Sequence, residues 1–356
     1  MDWFTDCAMR QITQNVFDKY WNKSDQNHLK SSESSSDILC LRTEFMTADG
    51  YIRNPWWVIR HLLTTKDQKN LIAQIFWWNQ ETLVKTAIDI QNKYWKYFKW
   101  IELNIWCPAN NVMKSWWWSA LLNDKKNTLK IIKDIKSNLD MSFSIKTRTG
   151  LNDKDKSNQT EFILQASKYC NMITIHWRTL VWWYHELPDR EFIYNIKKLA
   201  NKNCKIIWNG WITYLTWQRE KSQNQIGLWQ RDLKKETILD GLMIWQSAIW
   251  NPRILTAHIP NRKELKETIL HHLNLSINNE LQFQKNIQKS KLDIKIPVSQ
   301  FLIPNSSFPI SNKPILEFRK HLFNYIKWIP WSKEFKQKVA QIKDYENLTN
   351  EINNFL

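Results

Sequence analysis

Residues 71–106 read LIAQIFWWNQETLVKTAIDIQNKYWKYFKWIELNIW. An apolar run at 71–77 gives way to helical spacing over 79–94, where Asn79 can cap and Leu83, Ala87, Ile88 and Ile90 form an apolar stripe; a second run follows at 100–106. Both runs are short and mainly apolar, and each reads as a buried parallel strand. Strand, helix and strand in this order make one βα unit. Further runs occur at 38–47 (ILCLRTEFMT), 142–148 (SFSIKTR), 172–177 (MITIHW), 204–209 (CKIIWN) and 241–246 (GLMIWQ), and helical spacing recurs at 124–138, 159–170, 188–201 and 214–222. The repetition predicts an α/β fold, a (β/α)8 TIM barrel. Seven runs preceded by a helical segment at 5–19 leave one strand missing, so either the first strand is expected to be truncated, with Met1 at its end, or the barrel is completed differently.

Residues 22–37 are polar and serine-rich and read as a loop insertion. Beyond residue 258 strand signals fade, and amphipathic stretches at 263–288, 314–327 and 332–343 predict helices around an irregular connection at 293–313 that holds Pro297, Pro304 and Pro309. The expected organisation is a barrel over 1–257 and an all-helical domain over 258–356.

The chain has 23 tryptophans and only 5 glycines in 356 residues. Glycine ordinarily supplies about 7% of a chain, because tight turns and close backbone approaches need a residue without Cβ. Here tryptophan stands at those places: it ends or follows strand runs at Trp77, Trp106, Trp177, Trp208 and Trp245, and it fills three consecutive positions, Trp116, Trp117 and Trp118. The expectation is that many of these codons are UGA, decoded as glycine in the functional protein. The coding DNA decides it, since UGG codons at these positions would end the idea.

A net charge of +17 suggests a polyanionic partner. Five cysteines (Cys7, Cys40, Cys107, Cys170, Cys204) form no CxxC pair and no zinc spacing, which predicts reduced thiols and no metal. With neither a long apolar span nor a charged-then-apolar leader, a cytoplasmic protein away from membranes is expected.

In a (β/α)8 barrel the reactive groups stand at the C-terminal ends of the strands. Gln74, then Asn104 with Cys107, Lys146 with Arg148, His176 with Arg178, and Asn209 fall at five successive strand ends. Cys107 before Pro108 would expose a thiol able to act as nucleophile or proton donor. Lys146 and Arg148 alternate on one strand, so they share a face that could meet an anionic ring or phosphate. The backbone of 208–211 and of Trp245–Gln246 could hold a phosphate, provided the tryptophans there are glycines.

With glycine read at the tryptophan positions, 104–122 become NIGCPANNVMKSGGGSALL, which closely resembles the signature of the tRNA-dihydrouridine synthases. MDGFTD at 1–6, TIHGRT at 174–179, IIGNGGI at 206–212, DGLMIGQSAIGNP at 240–252 and EFRKHLFNYIKGIPG at 317–331 are similar to further motifs of that family, in the family's order. The resemblance implies an FMN enzyme that reduces the C5=C6 bond of a uridine in tRNA, with NADPH or NADH as electron source. It implies hydride delivery from reduced flavin to C6 and protonation of C5 by Cys107 as general acid. It places flavin contacts on Met1, Gln74, Lys146, His176, Asn209, Gly210, Trp211, Trp245 and Gln246. Asn104, Lys114, Arg148, Arg178, Arg319, Lys320 and His321 are the expected tRNA contacts, and the protein is expected to act as a monomer. Many relatives carry arginine where this chain has Gln246, which would replace a charged phosphate contact by a neutral one. Two competing readings remain at this point, a catalytically inactive tRNA-binding protein and an FMN barrel acting on a small pyrimidine.

Overall fold

The computed structural model describes residues 4–24, 39–105, 121–180, 189–210, 239–256, 259–289 and 312–356. They form two compact units. One holds 45–59 and 71–244, and the other holds the N-terminal residues to 44, 60–70 and 245–356.

The first of these units is built on the predicted strands. The run at 38–47 is an exception, since it gives two short strands, β1 (Leu41–Arg42), which falls in the other unit, and β2 (Met46–Thr47). Between them the Thr43 hydroxyl donates to the Glu44 carbonyl at 2.8 Å. Then follow β3 (Leu71–Phe76), β4 (Phe98–Asn104), β5 (Ser142–Arg148), β6 (Met172–His176), β7 (Lys205–Asn209) and β8 (Gly241–Met243). From β2 to β8 each strand pairs in parallel with the next, in a curled half-barrel with helices around it, consistent with a (β/α)8 barrel. The last predicted run was too long, because Gln246 already opens a short helix, Gln246–Trp250.

Between the strands lie α2 (Gln80–Tyr94), α3 (Lys125–Ser137), α4 (Lys156–Ala166) and α5 (Arg190–Leu199), with α1 (Cys7–Ser24) ahead of all the strands. Local chemistry starts three of them: Asn79 accepts from Thr82 N, Asp124 from Asn127 N and Asp189 from Phe192 N, each satisfying a donor that the first helical turn leaves orphaned. The expected helix at 214–222 lies outside the described residues, as do 25–37 of the serine-rich stretch and 293–311 of the connection.

The other unit gathers α1, α6 (Arg262–Lys289), α7 (Lys313–Tyr325), α8 (Ser332–Val339) and α9 (Tyr345–Phe355). Its core joins Ile269, Leu273 and Ile277 of α6 to Phe318 and Leu322 of α7, Phe335 and Val339 of α8, and Leu348 and Ile352 of α9. No helix among the described residues is long and apolar enough to cross a membrane.

Candidate active site

Strand register decides which side chains meet. In a parallel sheet, residues opposite one another in register point to the same face, and the next residue along points to the other. Ile75, Leu103, Ile145, Ile173 and Ile206 are mutually in register and buried, giving an apolar face. The polar residues lie on the alternate positions, in three rows. Gln74, Glu102 and Ser144 form the first row, Asn104, Lys146 and Thr174 the second, and Arg148, His176 and Asn209 the third, at the strand ends.

Gln74, Glu102 and Ser144 are completely buried and Asn104 nearly so. Gln74 Nε2 donates to Glu102 Oε1 at 2.6 Å, Asn104 Nδ2 donates to Gln74 Oε1 at 3.4 Å, and the Ser144 hydroxyl is shared between the Ile101 carbonyl at 3.4 Å and Glu102 Oε2 at 3.5 Å. Sequence reasoning did not single out Glu102. Its signal was visible, a lone carboxylate inside the apolar run WIELNIW, which burial makes costly unless partners are built for it.

At the strand ends, Arg148 Nη1 donates to the Thr179 carbonyl at 2.9 Å, tying β5 to the loop after β6. Gln159 of α4 supports the same strand end from below, donating to Thr147 Oγ1 and the Arg148 carbonyl. Burial, reinforced by the positive charges of Arg148, Lys146 and Arg178, pushes the His176 pKa well below its usual value. His176 is therefore a neutral imidazole at pH 7. Its Nδ1 accepts from the Arg178 backbone N–H at 3.3 Å, so the proton sits on Nε2, which is a donor. Asn209 donates to the Met243 carbonyl at 2.9 Å, linking β7 to β8.

Gly210 follows at φ +117°, and a Cβ there would stand 1.8 Å from the Trp177 ring and 3.1 Å from His176 Nε2. Only glycine fits. Trp208 lies in register with Ile175 on the opposite face, with the Arg190 guanidinium 4.8 Å from its ring centre. One-residue alternation along β7 puts it there.

Gln74, Asn104, Lys146, Arg148, His176 and Asn209 are thus brought to one face, and Arg178 and Gly210 adjoin them. Met1, Cys107, Lys114 and Trp211 lie outside the described residues. Trp245 and Gln246 stand at the start of the short helix in the helical unit. In that unit Arg319 donates to the Ile342 carbonyl, and Lys320 Nζ lies 3.8 Å from Asp6 Oδ2.

His321 is wholly buried, with Nε2 2.8 Å from Asp6 Oδ2, a core position unlike the surface role expected of it. His272 beside it is buried too, its Nδ1 2.9 Å from the Tyr325 hydroxyl. Burial and the charge of His321, only partly offset by Asp6, push the His272 pKa down to about 4. Burial works to raise the Asp6 carboxyl, but the His321 charge and hydrogen bonds from His272 and His321 outweigh it and hold the group well below the usual range.

Residues 4–356 match the family described as Dihydrouridine synthase (Dus). The chain belongs to the dihydrouridine synthase family. It is similar to a probable tRNA-dihydrouridine synthase of Rickettsia bellii, 27% identical over 250 residues that cover 69% of this chain and 66% of the relative. The relative in Rickettsia typhi, of the same name, is 24% identical over 69% of this chain and 65% of its own length. A protein of Arabidopsis thaliana named tRNA-dihydrouridine(47) synthase-like, with NAD(P)(+) in its name, is 30% identical over 34% of this chain and 18% of its own length. The chain spans just under two thirds of the length of the two Rickettsia relatives.

Proposed function

We propose that the chain reduces uridines of tRNA to 5,6-dihydrouridine, with FMN bound over the ends of β3 to β7 and NADPH or NADH as electron source. One observation carries the reading: a single face presents the amides Gln74, Asn104 and Asn209 beside the cations Lys146 and Arg148 and the neutral donor His176. Such a set fits the cofactor. The amides match the donor and acceptor edge of a flavin ring, the cations match its anionic reduced form and its phosphate, and the bare backbone of Gly210 admits close approach. Bound there, the flavin would supply hydride to C6 of the base.

The rest falls to side chains. Lys146 would stabilise negative charge at the ring edge, and Asn104 and Arg148 would orient the uridine. Cys107, three residues beyond Asn104, would hold the proton for C5. Gln246, Trp245 and Trp211, with Met1, would complete the cofactor contacts. Lys114, Arg178, Arg319 and Lys320 would grip tRNA phosphates, while His321 holds the packing from which Lys320 projects. The helical residues 258–356 would serve as the tRNA-binding domain of a cytoplasmic monomer.

We also infer that the functional protein carries glycine at many tryptophan positions. Trp331 supports this, because it occupies the left-handed region at φ 64° with its side chain 80% exposed, a conformation that costs an L residue about 1–2 kcal/mol.

The test is a purified protein with flavin absorbance, together with mapping of dihydrouridine in tRNA from cells lacking the gene. Loss of the modification at defined positions, and lack of rescue by Cys107→Ala, is expected; general-acid removal should slow the reaction by about 10²-fold or more. A colourless protein that still binds tRNA would replace this reading with the inactive binder.

A further inference from the structure

The buried row beneath the site has a direction. A carboxylate accepts hydrogen bonds and has none to give, whereas an amide does both. Gln74 Nε2 reaches Glu102 at 2.6 Å, and the Ser144 hydroxyl, with one proton to give, stands 3.4 Å from the Ile101 carbonyl and 3.5 Å from Glu102 Oε2. With its amino end committed to Glu102, Gln74 turns its carbonyl to Asn104, which donates at 3.4 Å. The Asn104 carbonyl is therefore the end that points away from Gln74, at the last residue of β4. Burial leaves no solvent to offer these amides an alternative partner: Gln74 and Glu102 are 0% exposed and Asn104 5%.

We propose that Glu102 is a positioning residue: it sets which way round the amides of Gln74 and Asn104 present their donor and acceptor ends to the rings bound above them. The inference rests on the reading of this face as a flavin and uridine site. A buried hydrogen bond to a carboxylate is strong enough to choose between two amide orientations, whose difference in bonding to a bound ring would change affinity by an order of magnitude.

The discriminating change is Glu102→Gln, which keeps the shape and removes the obligatory acceptor. FMN affinity should fall about tenfold, with a displaced visible flavin band, while Glu102→Asp, still an obligatory acceptor, stays within about threefold of the parent. Should Glu102→Gln fail to fold, the reversed pair Gln74→Glu with Glu102→Gln keeps a carboxylate–amide bond in the same place but inverts its direction. The proposal expects that double variant to fold and still to lose FMN affinity and the parent spectrum. Glu102→Gln, or the reversed pair, binding FMN with the affinity and spectrum of the parent would overturn the inference and leave the proposed activity standing. A parent protein that binds no FMN would overturn both.

Discussion

At the scale of the residue, His272 and His321 of the helical unit differ from a surface pair by their burial. His272 is fully buried beside Asp6 and His321, and its pKa of about 4 lies below the value of 6.5 that it has when exposed. The unfolded chain therefore binds a proton through this pH range that the folded chain refuses, and stability drops as pH falls from about 6.5 toward 4. Between pH 7 and pH 5 the loss from His272 is about 2 kcal/mol, measurable by urea denaturation at the two pH values. His272→Gln should flatten that dependence, and an unchanged slope would show that the group is not buried neutral. The family resemblance named His321 as a tRNA contact beside Arg319 and Lys320. It could not show burial, because Asp6 lies 315 residues away in the chain.

Elements were readable where local rules decide them. The helix expected over 79–94 is observed as Gln80–Tyr94, because Asn79 caps it and its apolar stripe holds Leu83, Ala87 and Ile90 inside. The strand expected at 142–148 is observed as Ser142–Arg148. The run at 38–47 is observed as two short strands, with the buried polar residues Thr43 and Glu44 between them. The start of α8 carries its own prediction. Trp331 precedes Ser332 in the left-handed conformation and buries little of its ring. Trp331→Gly should stabilise the protein by about 1 kcal/mol, read as a higher denaturation midpoint with the same slope. A lower midpoint would argue for a genuine tryptophan at this position.

Over the whole molecule, a charge of +17 and a helical unit built on α6 to α9 fit a protein that holds a large polyanion while one base enters a barrel. If Lys114, Arg178, Arg319 and Lys320 each meet one phosphate, tRNA affinity should fall about a hundredfold between roughly 50 and 200 mM salt. A flat response in a filter-binding titration would remove the phosphate grip from the reading. The kinds of elements, their order and the barrel class follow from periodicity, capping and composition, since these act over a few residues of chain. So do the candidate residues at strand ends, because alternation on a strand needs no partner to be defined. Tertiary structure alone decided that Gln74, Glu102, Asn104 and Ser144 share one buried hydrogen-bond row, that burial, reinforced by three cations, keeps His176 neutral, and that Asp6 joins the helical unit. Each depends on register or packing between segments far apart in the chain, where no local pattern carries the information.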